Sequence, residues 1–177
     1  MAKMEPLAGQ LLIASPTLSD YFERAVVLVL AHGEEGAMGV VLNRPSELDV
    51  ADAVPVLADL VSDDDMVYLG GPVSPRSVVA LGEFDDPAEA ATAVVGPVGV
   101  VDPEKVDASV GRLRVFAGYA GWAPSQLEAE LEEEAWFVAP ARPEDLFVDE
   151  DLWPIALRRK GGAFALLARM PADPSLN

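Results

Sequence analysis

Hydrophobic residues fall in short runs separated by glycine, proline and acids, and their period changes along the chain. Leu11–Ala14 is an apolar run stopped by Ser15-Pro16, which predicts a short strand, and Thr17–Phe22 predicts a turn or a short helical segment. Ala25–Ala31 contains no polar position, and its length and Val/Leu content predict a strand buried on both faces. Gly33–Gly36 turns the chain into Gly39–Leu42, so these two runs predict a hairpin. Residues 49–61 place Val50, Ala53, Val54, Leu57, Leu60 and Val61 at helical spacing, and Pro55 makes that helix irregular.

Met66–Leu69 and Ser77–Leu81 predict strands flanking Gly70-Gly71-Pro72, and Asp85–Ala93 predicts a short helix opened by an Asp-Pro step. Val98–Val101 reads as a strand, and Asp102-Pro103 caps a helix running to about Val110. Leu113–Phe116 predicts a strand that runs into a glycine-broken turn at Gly118–Trp122. Pro124–Glu134 is the clearest helix, with Leu127, Leu131 and Ala135 on one face. Trp136–Ala139 predicts a strand, Asp145–Phe147 and Asp151–Lys160 short helices, and Ala163–Arg169 an apolar segment of either type. Without a regular βαβ rhythm the pattern predicts one α+β domain over 9–170, with flexible ends at 1–8 and 171–177.

At 177 residues and 51% hydrophobic, the chain can bury one sizeable core. A membrane-spanning helix needs about 20 apolar residues; the run Ala25–Ala31 is far shorter. The amino terminus lacks the basic and apolar regions of a secretory signal, so a cytoplasmic protein without membrane contact is expected. Cysteine is absent, which excludes disulfides, thiolate metal sites and a cysteine nucleophile. Thirty acids against twelve bases give a net charge of −18. Such a surface repels phosphates, so no direct nucleic-acid partner is expected, whereas a protein partner is permitted.

Three segments are candidates for chemistry. Asn43 and Arg44 end a predicted strand just before Pro45, where Arg44 either forks onto an anionic ligand or pairs with a neighbouring acid. Gly70 and Gly71 form either a structural turn or a close backbone approach to a ligand, without the lysine of a phosphate loop. Tyr119, Trp122, Gln126 and Glu130 line the strand-to-helix passage, where Trp122 either anchors the helix or walls a pocket. Glu132-Glu133-Glu134 lie at the unfavourable end of the helix dipole and read as a solvated face or a contact for a cationic partner. His32 is the single histidine, so neither a Ser-His-Asp set nor a multi-histidine metal site can be assembled. Asp63-Asp64-Asp65 reads as a hydrated loop or a weak site for a hard cation. No catalytic residue, metal or cofactor is assigned, and an enzyme is disfavoured but left open.

Gly9–Pro16, Gly36–Pro45, Gly70–Val73 and Gly118–Trp136 occur in this order, followed by Trp153, Ala156 and Leu157 in a closing helix. Together these blocks resemble the AlgH/YqgE family of bacterial proteins. The resemblance implies an α+β fold with a small closed β-barrel and helices packed around a branched mixed sheet. It implies no established enzyme activity; members are described as uncharacterised or as candidate transcriptional regulators. Two departures stand out: Ser125 occupies a position where the family often has glycine, and Leu81-Gly82 stand where a histidine is expected. The leading expectation is a non-enzymatic regulatory or interaction protein acting through protein partners. The alternative is a small-molecule or anion-binding domain, including an undetected enzyme, with Asn43, Arg44, Gly70, Gly71, Trp122 and Gln126 converging on one pocket.

Overall fold

The computed structural model describes residues 6–62, 64–102 and 110–170. The helix expected over 103–109, Asp63, the first five residues and the tail from 171 lie outside the described residues. Early strands follow the apolar runs: β1 (Gln10–Ala14), β2 (Val26–Gly33) and β3 (Gly36–Val41), with Gly33 opposite Gly36 closing the expected hairpin. Pro45 then opens β4 (Pro45–Asp49), a strand the polar sequence did not announce. The helical pattern of residues 49–61 survives in two pieces. α1 (Val50–Ala53) stops at Val54, and a 3₁₀ turn restarts at Pro55–Leu60, as a proline without an N–H requires.

β5 (Met66–Leu69), β6 (Val73–Phe84), β7 (Thr92–Val95), β8 (Val98–Val101), β9 (Val110–Trp122) and β10 (Trp136–Pro140) complete the strands. The helix expected over 85–93 shrinks to a 3₁₀ turn at Pro87–Glu89, because Thr92–Val95 finds a strand partner in β8. The turn expected at Gly118–Trp122 is also corrected. β9 continues straight through it, with Gly118 at φ 74 absorbing the irregularity and β3 pairing onto Ala120–Trp122. α2 (Gln126–Glu132), a 3₁₀ turn at Pro143–Phe147, α3 (Leu152–Lys160) and α4 (Ala163–Leu167) fill the carboxyl-terminal third.

The sheet runs β10-β1-β2-β3-β9-β6-β8-β7, antiparallel throughout. β9 is where it branches. β6 covers one edge of β9; Phe116 and Ala117 on the other edge pair in parallel with Tyr68 and Leu69 of β5, which carries β4 outward. The expected branched mixed sheet is therefore present, but the expected closed barrel is not. The sheet curls until a Cβ on Gly9 would lie 2.8 Å from the Val94 carbonyl, yet among the described residues β7 pairs with β8 alone. Four residues and a register shift are too little edge to seal the seam. Nor do helices surround the sheet among the described residues, where of the α-helices only α2 and α3 exceed five residues.

Alternation along the strands divides the interior. Leu11, Ile13, Leu28 and Phe116 point into the main core with Trp153 and Leu157 of α3, whereas Leu12, Val27 and Val41 face Trp122, Leu127 and Trp136. Val50, Leu57, Val67, Ala80 and Val115 form a third cluster under α1.

Candidate functional site

Glu130 organises the densest polar cluster. It projects from α2 toward β9 and β10, where its Oε1 accepts N–H donors from Trp122 Nε1 at 3.2 Å and Trp136 Nε1 at 3.0 Å. Gln126 Nε2 donates to the other oxygen at 2.9 Å, and Gln126 Oε1 accepts from the Ala123 amide at 2.9 Å. Both indoles are buried, at 6% and 3% exposure, and Phe22 packs against each, with ring centroids 6.3 and 5.5 Å away. A buried indole wants an acceptor for its N–H, and one carboxylate serves two. Of the six residues expected to converge on one pocket, only Trp122 and Gln126 meet here, both on Glu130, as an anchor for α2. The two indole bonds are part-buried, whereas the Gln126 bonds lie on the exposed side of the cluster.

Asn43 and Arg44 belong elsewhere. Asn43 Oδ1 accepts from the Val26 amide at 3.0 Å, and its Nδ2 donates to the Arg24 carbonyl at 2.9 Å and to Asp151 Oδ1 at 2.8 Å. Asp151 in turn caps α3 by accepting from the Trp153 amide. Arg44 lies over the Tyr21 ring at 4.6 Å and donates to the Glu23 carbonyl at 3.1 Å. This pair ties the 20–24 turn to the sheet and to α3. Gly70 and Gly71 form a third group. A Cβ on Gly70 would meet the Gly118 carbonyl at 2.4 Å, and one on Gly71 would meet the Tyr119 carbonyl carbon at 2.1 Å. β9 fills the space a ligand would need. Tyr119 packs half-buried against the main core beside Val73.

His32 went unplaced in the sequence, and it has a partner. Its Nδ1 accepts the Leu7 amide at 3.0 Å, which leaves Nε2 to donate to Glu128 Oε1 at 2.5 Å. That hydrogen bond is the first cause holding the Glu128 carboxyl below its ordinary range. The imidazole side chain is 3% exposed and bonded at both nitrogens, so His32 itself is not a free base in the concavity of about 480 Å³ that it lines with Glu34, Glu35, Met38 and Trp122. Where a family histidine was expected, Leu81 is fully buried and a Cβ on Gly82 would lie 2.8 Å from Val110 Cγ1. The acids Glu132, Glu133 and Glu134 are exposed to water. Among the described residues no group of three or more His, Asp or Glu is placed to hold a metal ion. Phe22, Arg24 and Asp151 were missed because the partners that matter, Trp122 and Asn43, lie far away in sequence, and Trp136 was missed although Glu130 is six residues away. Only the indole of Trp136, beside an acid-rich helix, carried a signal.

The model of the family described as AlgH-like matches residues 11–165. The chain belongs to the AlgH-like family. AlgH-like relatives cover its full length: a UPF0301 protein of Streptomyces coelicolor is 46% identical over 190 residues, spanning 100% of this chain and 98% of the relative. A UPF0301 protein of Thermobifida fusca is 41% identical and spans 97% and 96%. The crystal structure of protein DIP2367 from Corynebacterium diphtheriae superposes with a TM-score of 0.85 at 34% identity, covering 96% of this chain and 95% of that one. The solution structure of AlgH from Pseudomonas aeruginosa superposes at 0.70 with 29% identity, covering 97% and 98%. Among the described residues of this AlgH-like protein, no helix is long and apolar enough to cross a membrane.

Proposed function

We propose that this AlgH-like protein is a cytoplasmic, non-enzymatic regulatory protein that acts by docking a protein partner on the open face of its sheet. The observation that carries this is a row across three adjacent strands. Leu69 pairs with Ala117, and Ala117 with Val78, so the three side chains stand on one face. Leu69 is 41% exposed and Val78 43%. Further along the same face, Val67, Val115 and Ala80 are buried with Val50 and Leu57. The cover supplied by α1 and the 3₁₀ turn stops short, and apolar surface left open beside a core is a favoured place for contact. The net charge of −18 weighs against DNA, so a part in transcriptional control would run through another protein.

The test compares affinity capture by the wild type with capture by a Leu69→Ser/Val78→Ser variant whose fold is verified by circular dichroism. A saturable partner that binds the variant at least about tenfold more weakly supports the reading. A partner held equally by both, or the lack of any saturable partner, overturns it.

A further inference from the structure

The carboxyl-terminal pair α3 and α4 breaks the charge pattern of the molecule. Residues 152–172 hold four of the twelve bases and none of the thirty acids. Two of the four are engaged. Arg159 forks onto Asp145 at 2.6 and 2.7 Å, and Lys160 donates to the Val138 carbonyl at 2.7 Å from 4.7 Å above the Phe164 ring. Arg158 and Arg169 are exposed, and among the described residues their side chains make no ion pair or hydrogen bond. Phe164 packs edge-on against Phe137 at 4.9 Å, which holds the inner side of α4 to the core. Helical turns continue past Leu167: the Arg169 amide donates to the Leu166 carbonyl, and the Met170 amide to the Leu167 carbonyl. At this spacing Ala163, Leu166 and Met170 form one outer stripe, with Arg169 beside it. Leu166 is 67% exposed, the most of any large apolar side chain described, and Met170 is 41% exposed. Arg24 Nη2 donates to the Met170 carbonyl at 2.6 Å, so a further cation closes that end of α4.

An apolar stripe rimmed by charge is a favoured place for contact, and here the charge names the occupant. Guanidiniums without partners select carboxylates, and their planar forks suit a pair of oxygens. A short acidic segment feels chiefly the charges within about 10 Å at 0.1 M salt, so the basic face governs its approach. A flat anionic bilayer would also meet the acids, all of which lie elsewhere in the chain, and is disfavoured. We propose that the outer face of α4, with the end of α3, docks an acidic amphipathic segment of a protein partner. Its apolar side lies on Leu166 and Met170, and its carboxylates on Arg158 and Arg169. This surface shares no residue with the Leu69–Val78 row, so its failure leaves that reading standing.

Fluorescence anisotropy with the full chain tests it, using a labelled peptide of about sixteen residues that carries leucines at helical spacing and glutamates between them. Two control peptides replace the leucines by serine or the glutamates by lysine. The acidic leucine peptide is expected to bind with a Kd on the order of 10–100 μM, and each control at least about tenfold more weakly. Arg169→Glu and Leu166→Ser, with folds verified by circular dichroism, are each expected to weaken it at least about fivefold. Leu69→Ser/Val78→Ser is expected to leave it unchanged. No binding of the acidic leucine peptide overturns the proposal, as does a control that binds equally well. So does unchanged affinity in either Arg169→Glu or Leu166→Ser, or an equal loss in Leu69→Ser/Val78→Ser. Phosphatidylglycerol vesicles that bind more tightly than the peptide, or self-association in sedimentation that Arg169→Glu abolishes, would give the face to lipid or to a second copy and overturn it too.

Discussion

Ser125 precedes α2 with φ 67, in the left-handed region where a Cβ collides with the following carbonyl. The resemblance to the family placed glycine at this position, and the backbone shows why. The serine makes no capping hydrogen bond that would offset the strain. Ser125→Gly is therefore expected to stabilise the protein by about 0.5–1 kcal/mol, part of the relieved strain being returned as chain entropy in the unfolded state. Urea unfolding checks it; a destabilised glycine variant contradicts it. Glu128 permits a prediction about pH. A carboxyl whose pKa is lower in the folded state adds stability above its unfolded value and loses it as the pH falls through the folded one. The His32 hydrogen bond lowers Glu128 in this way. The advantage of the wild type over Glu128→Gln is thus expected to disappear on acidification from about pH 5 to about pH 2, since unfolded glutamate titrates near pH 4.3. An advantage that persists at the acid end of unfolding curves taken across that range would contradict the coupling.

At the level of elements, α2 is a short helix held by side-chain contacts from its inner face. Removing the shared acceptor in Glu130→Ala strands two buried indole donors, with an expected loss of about 2–4 kcal/mol. Glu130→Gln keeps an acceptor and is expected to lose less than half of that. Chemical denaturation followed by tryptophan fluorescence reads both, and a Glu130→Ala variant within about 0.5 kcal/mol of the wild type would show the clamp to be idle. The helix was legible from the spacing of Leu127 and Leu131, but not that Glu130 turns back onto the two indoles. The passage before it was misread because two glycines and an aromatic residue ordinarily mark a turn. Here Gly118 serves a left-handed backbone and a close approach: a Cβ there would sit 2.5 Å from the Gly71 carbonyl, so β9 meets the link between β5 and β6 backbone to backbone. Glycine in a sequence marks the need for space without saying what fills it. Residues 92–95 were misread in the same manner, since an Asp-Pro helix start carries no information about a strand partner in β8.

For the molecule as a whole, mixed elements without βαβ rhythm sufficed to indicate one α+β domain. Closure of its sheet was beyond that pattern, because it depends on whether β7 reaches a partner across a seam, a question of edge length and curvature. The candidate residues divided for a related reason. Asn43 and Trp122 belong to separate hydrogen-bonded groups, one tying α3 to the sheet and the other tying α2, and strand spacing alone does not reveal which group a residue joins. The acidic surface was read directly from composition.

The pairing of β1 with β10, Leu12 opposite Val138, also governs how the molecule is made. A nascent chain leaving the ribosome carries the apolar segment Leu11–Ala14 long before its outer neighbour has been translated. One edge of that segment stays bare through most of synthesis, so the edge is covered late. A polypeptide stalled short of residue 136 presents a sticky, unmated strand, the kind of surface that chaperones recognise and aggregates grow from.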